Sequence, residues 1–272
     1  MNNTPKLTDR SALERNRTRA LGNPALFLHE TTAEEFQDRL SMVNKTFTSP
    51  AIVTGFPDFW ASVFPDAKIV ADEDVLDLDP QAHDLVIHAM SLHWANDPVG
   101  QMIQARRALR PDGLFLAGML GGQTLHELRA ALAEAESRTT GGLSPRVAPM
   151  AEIRDLGGLL QRAGFALPVA DSFPLTASYQ SAWHLMRDLR AMGEGNALSA
   201  RLRHPTRRSI LNATADIYAH SFGAEGRIPA TFELIFLLGW APDDSQPKPL
   251  RPGSAAARLA DALGSKEIKL PD

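Results

Sequence analysis

The stretch from His83 to Gly122, HDLVIHAMSLHWANDPVGQMIQARRALRPDGLFLAGMLGG, most narrowly limits what the chain can fold into. Asp84-Leu85-Val86-Ile87 and Leu114 to Met119 are short apolar runs, as in strands buried on both faces of a parallel sheet. Between them Val99, Met102, Ile103, Arg106 and Leu109 recur at helical spacing. Asp97-Pro98 supplies a cap and a first-turn proline, and Pro111-Asp112-Gly113 a stop. Strand, helix and strand in this order predict a right-handed βαβ unit. Ligands in such sheets sit at the carboxyl ends of the strands, here Ala89 to Trp94 and Gly118 to Gly122.

Composition narrows the function classes. The chain has 272 residues, 44% of them hydrophobic and 22% charged, which suits one large globular domain or one domain plus a subdomain. A net charge of −4 gives no general attraction for nucleic acid. The count of cysteines is 0, which excludes disulfides, zinc–thiolate sites and a cysteine nucleophile. No apolar run reaches the length of a membrane span, so none is expected. Arg10, Arg15, Arg17 and Arg19 faintly suggest a mitochondrial presequence, but Asp9 and Glu14 argue against one, because transit peptides are poor in acids. A basic helix of the mature protein and a bacterial-type cytoplasmic location are expected instead.

Leu7 to Ala20 reads as an amphipathic helix capped by Thr8. Ala33 to Val43 reads as a second, with Thr32 and Glu35 as a capping box. Residues 1–49 are therefore expected as N-terminal helices. Pro50 to Thr54 reads as a strand entering Gly55-Phe56-Pro57-Asp58-Phe59-Trp60. Ala67 to Ala71 is a further strand, followed by Asp72-Glu73-Asp74. Strand-like runs recur at Leu167 to Phe173 and Thr231 to Trp240. Helical patterns cover Gln123 to Arg138 and Met150 to Ala163. A helical insertion at 181–222 lies before the last strand, where it would form a lid or partner surface. His88 and His93 are an odd number apart and are expected to diverge; no metal site is expected. Residues 243–272 read as a flexible Pro- and Ala-rich tail, with a short helix at Arg258 to Leu263.

The series DLVIHAMSLHWANDP, RRALRPDGLFLAGMLGGQTLHELR, GGLSPRVAPMAEIRDLGGLLQRAGF, MRDLRAMGEGNA and PATFELIFLLGWAP resembles class I S-adenosylmethionine-dependent methyltransferases. Within them it looks like the branch that holds the mitochondrial complex I assembly factor and a biotin-pathway relative. The resemblance implies an α/β fold with a Rossmann-like sheet over residues 50–242 and a helical lid. It implies S-adenosylmethionine as cofactor and a protein partner, a complex I subunit or assembly intermediate. The implied chemistry is methylation of a carrier-bound ester or hydroxylation of a subunit arginine; no catalytic residue stands out.

The family's glycine-rich turn keeps one glycine here, Gly55. Either the turn packs Phe59 and Trp60 into the core or it is an altered cofactor loop. The segment up to Asp84 is short by one βα unit. Val70 to Leu78 matches the family's third strand best, which would remove the strand whose terminal acid holds the ribose; in the competing alignment Asp72 is that acid. Residues Thr54, Gly55, Asp72, Asp74, His88 and Trp94 are the expected cofactor contacts. His93, Gly121, Gly122, Ser144, Arg146, Glu194 and Asn196 are expected toward a substrate or partner. Two functions follow: an active enzyme, or a non-catalytic assembly chaperone whose cofactor pocket has decayed.

Overall fold

The computed structural model describes residues 6–247. Two units separate along the chain, Met1–Pro242 and Asp243–Asp272. The described part of the second is a short turn in which Ser245 donates to the Asp243 carboxylate; the expected helix at Arg258 to Leu263 lies outside the described residues.

The first unit carries a six-stranded sheet in the order β2-β1-β3-β4-β6-β5. Strands β1 (Pro50–Thr54), β2 (Lys68–Ala71), β3 (His83–Ala89) and β4 (Leu109–Leu120) run parallel. Strands β5 (Ala166–Tyr179) and β6 (Ile228–Trp240) close the other side antiparallel. Alternate residues feed two cores. Ile52, Leu85, Ile87, Leu114 and Leu116 pack beneath α2 (Phe27–Met42), α3 (Pro57–Val63) and α5 (His126–Thr140). Ala51, Val86, Phe115 and Leu237 pack against α4 (Pro98–Ala108) and α6 (Ile153–Arg162). Burial on both faces is why these strands read as unbroken apolar runs.

The 11 residues between Ala71 and His83 form neither helix nor strand, so the sheet ends at β2. Because β2 pairs directly with β1, it stands where the family's second strand stands. The preferred match of Val70 to Leu78 to the third strand is thereby corrected, and Asp72 follows the carboxyl end of β2.

Local signals erred mainly at element ends. Helix α1 (Arg10–Ala20) is capped by Asp9, whose carboxylate accepts from the Ala12 amide, rather than by Thr8. Helix α2 begins at Phe27, so Thr32 lies inside it, and its hydroxyl donates to the Leu28 carbonyl instead of capping. Chain leaves α4 at Leu109 and enters β4 directly, so Pro111-Asp112-Gly113 lies within strand rather than ending the helix. The insertion forms α7 (Ala182–Ala191) and α8 (Arg208–Phe222). Among the described residues no helix is long and apolar enough to cross a membrane.

Candidate functional site

The carboxyl ends of β1, β2 and β3 are covered by the first helix. Ala12, Leu13, Arg17 and Ala20 are the buried residues of α1, so one cation lies on its apolar face. Its guanidinium meets Asp72 in a two-pronged pair, Nη1 to Oδ1 at 2.8 Å and Nη2 to Oδ2 at 3.0 Å. Arg10, almost two turns earlier, makes a second fork on the same carboxylate at 3.1 and 3.3 Å. Burial alone would raise the Asp72 pKa, but the two guanidiniums outweigh it and hold the carboxyl below its ordinary value. Arg17 also lies against Gly55: a Cβ built there would overlap the guanidinium. The glycine that makes room for a ligand in other sheets of this type makes room here for a side chain of the same protein.

Glu194, from the loop after α7, completes the cluster. Its carboxylate accepts from Trp94 Nε1 at 2.8 Å and lies 3.4 Å from His93 Nε2. Burial would raise its pKa; His93, Arg17 and the Trp94 hydrogen bond bring it below the usual value. Arg10 and Arg17 thus face Asp72 and Glu194, and the formal charges of the cluster cancel. Among the described residues His93 Nδ1 is buried without a hydrogen-bond partner. His29 receives a hydrogen bond from Trp60 Nε1 at 3.1 Å and is held neutral, its pKa pushed down to about 4 by burial.

The loop carrying Glu194 is tied to α1 along its length. Asn16 donates to the Gly195 carbonyl at 2.9 Å. Asp9 N donates to Ala197 O, and Ser199 N to Leu7 O, each at 2.8 Å. Gly193 takes φ +77° with Phe56 and Arg17 pressed against it, a second place where glycine permits a close approach.

Thr54 is buried and caps the turn, accepting from Phe56 N at 3.1 Å. Asp74 is half exposed and pairs with Lys6. His88 turns toward α4, where Gln101 Oε1 lies 2.8 Å from Nε2 and the Ser91 hydroxyl 3.2 Å from Nδ1; burial pushes its pKa down to about 4. Phe59 is partly buried and Trp60 fully buried, so the Gly55 turn does pack into the core. Gly121 and Gly122 leave room for the Glu233 and Glu152 side chains. Among the described residues no three His, Asp or Glu gather in a metal-binding group.

Arg146 and Asn196 line a cavity of about 390 Å³ between α5 and the lid, and Ser144 shares Glu136 with Arg146 beside it. Arg146 pairs with the buried Glu136, which also accepts from the Ser144 hydroxyl and amide. It donates to the Thr206 hydroxyl as well, and Asn196 donates to the Pro145 carbonyl. Sequence reasoning missed Arg10, Arg17 and His29. The signal for Arg17 was a cation at helical spacing from Leu13 and Ala20, inside the apolar stripe rather than opposite it.

The fold implies S-adenosylmethionine as cofactor. Its nucleoside needs an open backbone at the first turn and a free acid at the end of the neighbouring strand. Gly55 is covered by Arg17, and both oxygens of Asp72 are taken by two guanidiniums. The residues present do not fit the cofactor.

No family model matches the chain. It is 40% identical over 201 residues to the arginine-hydroxylase NDUFAF5, mitochondrial, of Danio rerio, covering 74% of this chain and 62% of that protein. It is 41% identical over 199 residues to the Dictyostelium discoideum protein of the same name, covering 72% of this chain and 45% of that one. The chain thus spans about half to three fifths of the length of the curated relatives it matches. A malonyl-[acyl-carrier protein] O-methyltransferase of Methylovorus is 35% identical over 174 residues, with 64% and 56% of the two chains covered. Among solved structures, a Bacillus subtilis protein, YcgJ, superposes with TM-score 0.46 at 11% identity, covering 78% of this chain and 99% of that one. By its sheet order and these sequence relatives, the chain has the class I methyltransferase fold and resembles the arginine-hydroxylase NDUFAF5 branch, with a degenerate cofactor motif.

Proposed function

We propose that this chain acts in the assembly of respiratory complex I by binding a protein subunit or assembly intermediate, not by cofactor chemistry. The observation that carries this reading is the Arg17–Asp72 pair lying across Gly55, which closes the cofactor position with the chain's own residues. The lid is intact beside the closed pocket: α7 and α8 are formed, and Trp183 on α7 keeps 39% of its surface exposed. An exposed tryptophan on a helix with a buried opposite face suits a protein contact, because aromatic anchors dominate such interfaces.

The test is to tag the chain in cells that assemble complex I and to follow complex I subunits through its purification. Subunits are expected to co-purify with the parent chain and to be lost with Trp183→Ala at unchanged melting temperature. Mass spectrometry of the captured subunit is expected to show no methyl or hydroxyl group that depends on this chain. A modification that disappears when the chain is deleted would overturn the non-catalytic reading.

A further inference from the structure

The cavity under the lid adjoins the closed cofactor position, sharing Trp94 and Glu194 with it, and its lining has two unlike parts. Its walls are aliphatic or aromatic: Leu125, Leu128, Leu132, Val147, Met186 and Phe232. Three guanidiniums, Arg146, Arg190 and Arg201, line it too, beside His204 and a single acid, Glu194.

The charges around the cavity do not all cancel. Glu136 neutralises Arg146. One carboxylate, Asp9, is shared between Arg201 and Arg203. Glu194 is already balanced within its cluster with Arg10, Arg17 and Asp72. Arg190 is exposed at the end of α7, and its guanidinium makes no ion pair or hydrogen bond among the described residues. The lining therefore carries excess positive charge at one region and apolar surface elsewhere. Leu202, 41% exposed, lines the cavity as well, so apolar surface continues to the side open to water.

We infer that this cavity binds a small aliphatic carboxylate, with the alkyl chain among the leucines and the carboxylate on Arg190 and Arg201. The three parts of the lining select that class. A cationic peptide would meet guanidiniums at close range. A nucleotide would place its polar base and sugar against leucine and phenylalanine without hydrogen-bond partners. An alkyl chain buries apolar surface, and a carboxylate is matched by the planar fork of arginine. The volume lies within the range of small-ligand pockets. The inference stands apart from the complex I reading, since it needs neither the cofactor nor a protein partner.

The experiment is calorimetric titration of the full chain with hexanoate, octanoate and decanoate below their micelle-forming concentrations, with decyltrimethylammonium as the cation of matched chain. Affinity is expected to tighten about fourfold per added methylene while the chain is being buried, and the cation is expected not to bind. Arg190→Ala is expected to weaken decanoate about tenfold, the loss of one charge-assisted contact. Because Arg190 is exposed, that variant is expected to melt with the parent. Leu211→Trp, which fills the lid side of the cavity, is expected to abolish binding. The parent chain alone decides the matter if that second variant unfolds. No heat with decanoate, equal binding of cation and anion, or affinity independent of chain length would each overturn the inference. Unchanged decanoate affinity in Arg190→Ala would overturn the placement of the carboxylate.

Discussion

A buried arginine needs a reason, and for Arg17 the reason is Asp72. Each is less than a tenth exposed, and removing either partner leaves the other as a buried charge. Breaking such a pair costs about 3 to 5 kcal/mol. Asp72→Asn strands two guanidiniums and is expected to fall in that range by urea denaturation. Arg17→Ala leaves Arg10 on the carboxylate and is expected to cost distinctly less; equal costs would mean that the second fork contributes nothing. Two buried imidazoles add a pH dependence of definite sign. His29 and His88 titrate at about 4 in the fold, against 6.5 for a free imidazole. Below 6.5 the unfolded chain takes up protons that the fold refuses. Their contribution is therefore complete above pH 6.5 and is lost as pH falls to about 4, up to about 3 kcal/mol for each. Asp72 and Glu194, both held below their ordinary values, keep their contribution above the usual carboxylate range and lose it at lower pH. A urea midpoint that stays flat from pH 7 to pH 4.5 would contradict this. Asp72 was legible as an acid at a strand end, but its partner lies 55 residues earlier in the chain. Nothing in local spacing links the two, so Arg17 read as part of a basic helix.

At the scale of elements, α1 and the loop after α7 behave as one piece. Their ties are Asn16 to Gly195, Asp9 to Ala197 and Ser199 to Leu7, together with the salt bridges from Asp9 to Arg201 and Arg203. Native-state hydrogen exchange is expected to show amides of α1 and residues 193–199 opening together, with one free energy and one denaturant slope. Separate openings would show that the helix is only laid against the loop. Element identity was largely legible. The apolar runs of β3 and β4, the Asp97-Pro98 start of α4 and the lid helices all stand near their expected places, because period and cap chemistry are local. Boundaries were not. Thr32 has the sequence of a cap, yet Phe27 and Leu28 are drawn onto the sheet face and extend α2 beyond it. Strand β5 runs six residues past its expected end at Phe173, because its pairing with β6 continues to Tyr179.

The whole molecule keeps the sheet of a methyltransferase fold but ends it at β2, and its first helix lies over the carboxyl ends where a cofactor binds in that fold. The shortened segment could be counted from the sequence. Which strand was missing could not, because only pairing with β1 places β2 beside it. The chain's own Arg17 lies across the position where that fold holds its cofactor. Calorimetric titration of the full, ligand-stripped chain with S-adenosylmethionine reads that closure directly. The expected result is no heat and no thermal shift at millimolar ligand. Micromolar binding, about −8 kcal/mol, would show that α1 yields to the cofactor and would contradict the account.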